Sequence, residues 1–506
     1  MSDLLPLPKP PEGIQLGLKC PQSVLYIDLG LRGCTAPAFR RLYGVDHAFN
    51  YISMDDGIKS FNLTNSEFMQ KLSPELKADV IAQKFITTMA RNIRKLVRTA
   101  QIVSSPTRWR SSHFRQDLLE DLNAYWDAYE DHANCMYLFW GIENFVMNSI
   151  TDELYKAGFQ EEVDSGLPSF IVPSESNWFA LEKQNLEILK SRFADEAESE
   201  AALDAASFHA DTFGITYTPY NLGTPPSGKN VVEQIKQPPE PTKNDIKALD
   251  SFPEYIVQLG KLVRELAFWK SERTDTLSIA DHYATPMYKA LSTLLEIPQN
   301  LLYYMTRDEL TEAINGTRQV STETLEQRKQ KYCLALIDGK ISFYQPTDNE
   351  AKKEPYVFKN GDTIRGVPAS PGVVRGRVRI LAMGESNPVL EPDEIIVTSM
   401  TRPELGAALD VALAYVTDEG GRLCHAAIVS REKKKPCIVG VRLNHAIVVS
   451  RAKKKPCVVG ASLNHATIVS REKNKPCVVG TRKATEVLQN GMLIEVDGTK
   501  GTVTVL

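Results

Sequence analysis

A chain of 506 residues is too long for one ordinary hydrophobic core, so about two to four domains are expected. Its 42% hydrophobic and 24% charged residues are those of a soluble globular protein, and a formal net charge of −4 gives no electrostatic reason to bind nucleic acid. Eight cysteines over this length, with no C-x-x-C pair, argue against a disulfide framework and against structural zinc.

The N-terminus, Met1-Ser2-Asp3-Leu4-Leu5-Pro6, lacks a basic stretch followed by an apolar run, so no signal peptide is expected. The most apolar candidate for a membrane, Cys135 to Ile142, is followed by Glu143 and Asn144 and falls short of the ~20 residues a span needs. The expected compartment is the cytoplasm.

Residues 1–70 read as a mixed α/β segment, with Val24-Leu25-Tyr26-Ile27-Asp28-Leu29 as a short strand. Residues 71–221 read as helical. Ser73-Pro74-Glu75-Leu76 has the form of an N-cap with proline in the first turn. Val80, Ile81, Phe85, Ile86, Met89, Ile93, Leu96 and Val97 then recur at helical spacing. A second helix is expected over about 116–158, with Leu118, Leu119, Leu122, Trp126 and Tyr129 on one face, and a third over about 174–210. The charged run from Asp195 to Glu200 reads as a solvated face of that third helix.

Proline and glycine mark residues 222–243 as a linker. Residues 244–355 read as a second helical region, with helices over about 244–272, 278–295, 306–315 and 322–333. It ends in a hairpin, Leu334 to Phe343, turning at Asp338-Gly339. A domain boundary is placed near 350–360, and residues 356–506 form the last domain. There short β-branched runs such as Val373 to Leu381 and Glu394 to Thr398 alternate with glycines and short helices.

The most chemical stretch of this domain is Thr417 to Arg431. A buried strand, Leu413 to Val416, runs into an acidic loop with paired glycines, and the loop delivers His425 to the first turn of an amphipathic helix. The segment then repeats. Residues 422–441, 442–461 and 462–481 are near-copies, placing His445 and His465 at successive steps of twenty residues. Each copy reads as a helix followed by a Pro-Cys-Ile/Val-Val-Gly strand.

Four motifs in order carry a resemblance. They are Gly366-Val367-Pro368-Ala369-Ser370-Pro371-Gly372, Thr401-Arg402-Pro403-Glu404, the Thr417–Arg431 stretch, and Val496-Asp497-Gly498-Thr499-Lys500-Gly501. Through them residues 366–506 resemble the mobile phosphohistidine domain of phosphoenolpyruvate synthase, pyruvate phosphate dikinase and rifampicin phosphotransferase. The preceding helical region is similar, through Phe208 to Gly214, Val263 to Leu266 and Trp269 to Arg273, to the helical part of rifampicin phosphotransferase-like proteins.

The resemblance implies that His425 is phosphorylated and that the domain swings between sites. A neutral imidazole is a competent nucleophile near neutral pH. The phosphate oxygens would lie near the unpaired N–H groups of the following helix. Gly420 and Gly421 would let backbone donors approach, with Thr417 offering a hydroxyl and Asp418 completing the phosphate loop. Leu423 stands where the dikinases often carry a regulatory threonine. No ATP-grasp or phosphoenolpyruvate-barrel signature is found, so ATP or phosphoenolpyruvate, with Mg2+, is expected on a separate kinase subunit; a small-molecule acceptor is a further partner.

If all three copies fold as parallel steps, His425, His445 and His465 line one rim, and the extra two are secondary acceptors. The simpler reading is a duplication with spare histidines, because only His425 has the Thr-Asp-Glu-Gly-Gly approach. A metal site is not expected, since no acidic ligand recurs with the histidines.

The expected architecture is thus a mostly α-helical N-terminal region followed by an α/β swivelling domain with a triplicated helix–strand unit. The expected function is that of a phosphotransferase component carrying a phosphoryl group on a histidine. The alternative is a binding or regulatory protein that keeps the swivelling domain as a lid.

Overall fold

The helical periodicity that begins in the 70s forms two long helices, α4 (Ala78–Val103) and α5 (Phe114–Lys156). A third, α9 (Glu254–Leu295), packs against both. These belong to a computed structural model that describes residues 4–8, 15–19, 22–55, 58–61, 66–105, 109, 113–160, 162, 169–170, 174–175, 178–193, 195–214, 227–236, 249–346, 358–370, 372–381, 388–398, 405, 408–418, 437–439, 477–478 and 484–506. The buried positions on α4 include Ile81, Phe85, Met89, Ile93 and Leu96, the stripe expected from its spacing.

Around the three long helices lie α1 (Val24–Gly33), α2 (Ala36–Tyr43), α3 (Ser66–Leu72), α10 (Gln299–Leu302), α11 (Arg307–Ile314) and α12 (Thr322–Gln330). A smaller group, α6 (Trp178–Phe193), α7 (Glu200–Phe213) and α8 (Gly228–Ile235), has its own core around Leu189, Ala202, Ala206, Val231 and Ile235.

Val24–Leu29 is the start of α1 and not a strand. Its residues are buried on every side, so the run is apolar without period, and a short apolar run does not by itself distinguish a strand from a buried helix. Ser73–Leu76 is the connection between α3 and α4 and not an N-cap at the start of the helix. The Ser73 hydroxyl accepts from the Lys77 N–H at 3.1 Å, and Leu76 has φ 51 before α4 begins at Ala78. The third expected helix divides into α6 and α7, and the charged run is their connection. Ser199 caps α7 by accepting from Ala202 N–H. The expected linker contains α8, which starts in a capping box of Ser227 and Asn230. The two helices expected over 244–295 are one continuous helix that carries Pro286 in its interior.

Three strands from the first 70 residues and the hairpin at 333–344 meet in one sheet of order β1-β3-β2-β4-β5: β1 (Gln15–Lys19), β2 (Tyr51–Asp55), β3 (Ile58–Phe61), β4 (Cys333–Ile337) and β5 (Lys340–Tyr344). The central pairing is antiparallel, with Tyr51 opposite Ile337 and Asp55 opposite Cys333. Residues 1–70 therefore share a sheet and a core with the end of the second helical region. The Asp338-Gly339 turn has both residues at positive φ, 49 and 78, as a two-residue hairpin of that sequence requires.

The C-terminal domain is a second sheet. It comprises β6 (Thr363–Arg365), β7 (Val367–Ser370), β8 (Val373–Leu381), β9 (Glu394–Thr398), β10 (Tyr415–Thr417), β11 (Cys437–Val439), β12 (Cys477–Val478), β13 (Leu493–Asp497) and β14 (Thr502–Val505). The order is β12-β11-β10-β9-β8-β13-β14-β6, with β7 also paired to β11. Strands β8 to β12 run parallel, while β13, β14 and β6 are antiparallel.

Val378, Ile395, Val397, Val416, Ile494, Val496 and Val503 form the core beneath the sheet, together with Ala484 and Val487 of α14 (Ala484–Val487). Helix α13 (Ala408–Val411) lies in the crossover between β9 and β10. Gly376 is needed at its place in β8, because a Cβ there would stand 2.6 Å from the Asp393 carbonyl oxygen. The strands of the first and third repeat copies are neighbours, Cys437 opposite Cys477. The strand of the middle copy lies outside the described residues.

Candidate functional site

Five parallel strands end along one edge of the C-terminal sheet, and Leu381, Thr398, Thr417 and Val439 close four of them there. In parallel α/β sheets ligands bind at this carboxyl edge. Thr417 ends β10 with Thr398 beside it on β9 and Val439 beside it on β11. Both threonines are buried. The Asp418 N–H donates to the Thr398 carbonyl at 3.1 Å, so the chain leaves the edge with its direction fixed by the neighbouring strand.

Asp418 has a defined task at this point. Its Oδ1 accepts from the Ala484 N–H at 2.5 Å and the Thr485 N–H at 3.3 Å, and its Oδ2 accepts from the Thr485 hydroxyl. The carboxylate thus caps α14, where a negative charge meets the first N–H groups of a helix. It joins the end of β10 to chain that resumes after the repeats. The carboxylate expected in the phosphate loop is committed to this cap.

The first and fourth motifs are brought together. The Gly366 N–H donates to the Gly501 carbonyl at 3.1 Å, and the Gly498 N–H donates to the Gly372 carbonyl at 3.2 Å. Asp497 makes the turn between β13 and β14, accepting from the N–H groups of Thr499 and Lys500, with the Lys500 ammonium 2.8 Å from its other oxygen. The Asp-Gly-Thr-Lys-Gly motif is a hairpin built to hold the Gly366–Gly372 segment against it.

Gly420, Gly421, His425, His445 and His465 lie outside the described residues, as does the Thr401–Glu404 motif. Sequence reading passed over Thr398 and Thr485. The first was legible as the end of a β-branched run, but nothing in the sequence pairs it with Thr417; the second is separated from Asp418 by the whole repeat. Among the described residues no cluster of histidine, cysteine, aspartate and glutamate is arranged to hold a metal ion. No helix among them is long and apolar enough to cross a membrane.

A sheet whose parallel strands present Thr417 and Asp418 at their common edge, followed by a hairpin that clamps a glycine-rich segment, defines an α/β domain. Residues 390–444 and 460–501 match the family described as PEP-utilising enzyme, mobile domain. The C-terminal domain is one of these mobile domains. The match includes the copies that carry His425 and His465 and passes over 445–459, in the middle copy.

The chain is 28% identical to a phosphoenolpyruvate synthase of Aeropyrum pernix over 343 residues, 67% of this chain and 32% of that protein. That length exceeds residues 356–506, so the similarity extends into the helical region. A probable phosphoenolpyruvate synthase of Archaeoglobus fulgidus is 36% identical over 164 residues, 32% of this chain and 16% of its own. The rifampicin phosphotransferase of Bacillus subtilis is 31% identical over 144 residues, 28% of this chain and 16% of its own. The matched part of the chain thus spans a third or less of the length of these curated relatives.

Proposed function

We propose that this chain is a phosphotransferase component in which His425 carries the phosphoryl group. The carrying observation is the placement of Thr417 and Asp418 at the carboxyl edge of a mobile-domain sheet, eight and seven residues before His425. A lone pair on the neutral imidazole would form the N–P bond as the bond from phosphorus to the donor's leaving oxygen breaks. An acceptor oxygen would then attack the same phosphorus, and the imidazole nitrogen would leave. The phosphoramidate suits a carrier because it is formed and broken at the same nitrogen.

The donor, on this reading, is ATP or phosphoenolpyruvate bound with Mg2+ to a separate kinase subunit. Thr417 and the backbone at Gly420 and Gly421 would offer donors to the phosphate oxygens. Asp418 would act indirectly, by fixing where the loop leaves β10. His445 and His465 lack the glycine-paired approach and are assigned no primary role. The test is to incubate the full chain with 32P-labelled ATP or phosphoenolpyruvate and host lysate. The expected result is acid-labile, base-stable label that His425→Ala abolishes. Absence of label on the wild type, or undiminished label on the variant, would overturn the proposal.

A further inference from the structure

Between the first helices and the 333–344 hairpin lies a cavity of about 860 Å³. This is within the size range of small-molecule sites. Six cationic side chains line it, Arg32, Arg41, Arg307, Arg318, Arg328 and Lys340, against five carboxylates. The deeper cations have strong internal partners. Arg328 holds Glu309 through two bonds of 2.7 and 2.9 Å and lies over the Phe343 ring, and Arg307 is bound to Glu130 at 2.6 Å. These build the wall.

The outer three are differently placed. Arg41 binds Asp131, but so does Lys95 at 2.7 Å, so one carboxylate faces two cations. Arg318 reaches Glu309 and Glu312 only at 3.6 and 3.4 Å. Lys340 is exposed beside the Asp338-Gly339 turn and has no ion pair among the described residues. A guanidinium offers five N–H donors and an ammonium three, so these three solvent-accessible groups on the cavity lining keep donors beyond their present bonds.

We propose that Arg41, Arg318 and Lys340 bind a small organic oxyanion, a phosphate ester or a carboxylate, in this cavity. Guanidinium and ammonium groups grip both through charge-assisted hydrogen bonds. The site is independent of His425 and stands whether or not that residue carries phosphate.

The test is thermal unfolding of the full chain with pyrophosphate and, separately, citrate as probes, against sodium chloride at matched ionic strength. A bound anion raises the melting temperature saturably, which ionic strength alone does not. The expected result is a saturable rise with at least one probe, weakened about tenfold in apparent affinity by Lys340→Gln and by Arg318→Gln. Lys359→Gln, outside the cavity, leaves it unchanged. A response to pyrophosphate alone assigns a phosphate, and to citrate alone a carboxylate. Because Lys340 is exposed, its substitution leaves the unliganded melting temperature in place, so a loss of response is a loss of binding. No saturable rise with either probe, or an equal rise in the Lys340 and Arg318 variants, overturns the proposal.

Discussion

Replacing Asp418 separates a cap from a catalytic carboxylate. In Asp418→Ala the N–H groups of Ala484 and Thr485 and the Thr485 hydroxyl lose their acceptor in a site where Asp418 is only 2% exposed. Loss of a helix cap costs about 1 kcal/mol, and the further donors left unmade in a buried place add about 1–3 kcal/mol. The local opening of α14 should therefore become easier by about 3 kcal/mol, roughly a 100-fold faster amide exchange. Asp418→Asn keeps one acceptor oxygen, and the Thr485 hydroxyl can turn to accept from the amide, so its cost is about 1 kcal/mol. Hydrogen exchange read by mass spectrometry on peptides covering 484–488 measures both. Unchanged exchange in Asp418→Ala would refute the cap. Loss of phosphoryl labelling in Asp418→Asn without any change in exchange would place the carboxylate in the chemistry instead.

Three further outcomes follow from the N-terminal region. Burial pushes the Glu309 carboxyl up, but the hydrogen bonds and charge of Arg328 outweigh it and leave it below the usual range. Its contribution is therefore present above about pH 4.5 and lost as pH falls through the lower folded value. Removing the partner in Arg328→Ala should cost about 3–5 kcal/mol, read as a lower urea midpoint by tryptophan fluorescence; a midpoint within error of wild type would exclude it. His132 is held down to about 4, mainly by burial and also by the Arg273 charge, with the Arg273 carbonyl 2.8 Å from Nε2. The unfolded chain takes up a proton that the folded one refuses, so stability falls as pH drops from about 6.5 toward 4. His132→Gln should flatten that part of the stability profile, and an unaltered slope would argue against it. Gly33 passes so close to α5 that a Cβ would stand 2.3 Å from the Glu130 carbonyl oxygen. Gly33→Ala should lower stability by about 1–3 kcal/mol, and a neutral effect in calorimetry would contradict the close crossing.

The elements legible from sequence were those whose pattern is set locally. Asp338-Gly339 defined its hairpin, and the spacing of Ile81, Phe85 and Met89 defined α4, because turn chemistry and helical period are properties of neighbouring residues. Val24–Leu29 was misread because a helix buried on all sides has no polar face to reveal its period. The break expected near residue 275 is absent because α9 carries buried polar residues, among them Arg273, Thr276, Ser278 and Asp281, where it passes through the bundle. At the site, the motif order identified the domain, but the partners of Asp418 were hidden. They lie 66 and 67 residues along the chain, and only the sheet brings them to the end of β10.

His425 is one of three histidines in similar sequence surroundings, and trypsin separates them. Cleavage at the flanking basic residues puts His425 in the peptide Leu423 to Arg431, His445 in Leu443 to Arg451, and His465 in Lys455 to Arg471. Each has its own mass. After phosphorylation and digestion at alkaline pH, the added phosphate is expected on the His425 peptide. Phosphate confined to either of the other two, or absent from all three, would contradict the assignment to His425.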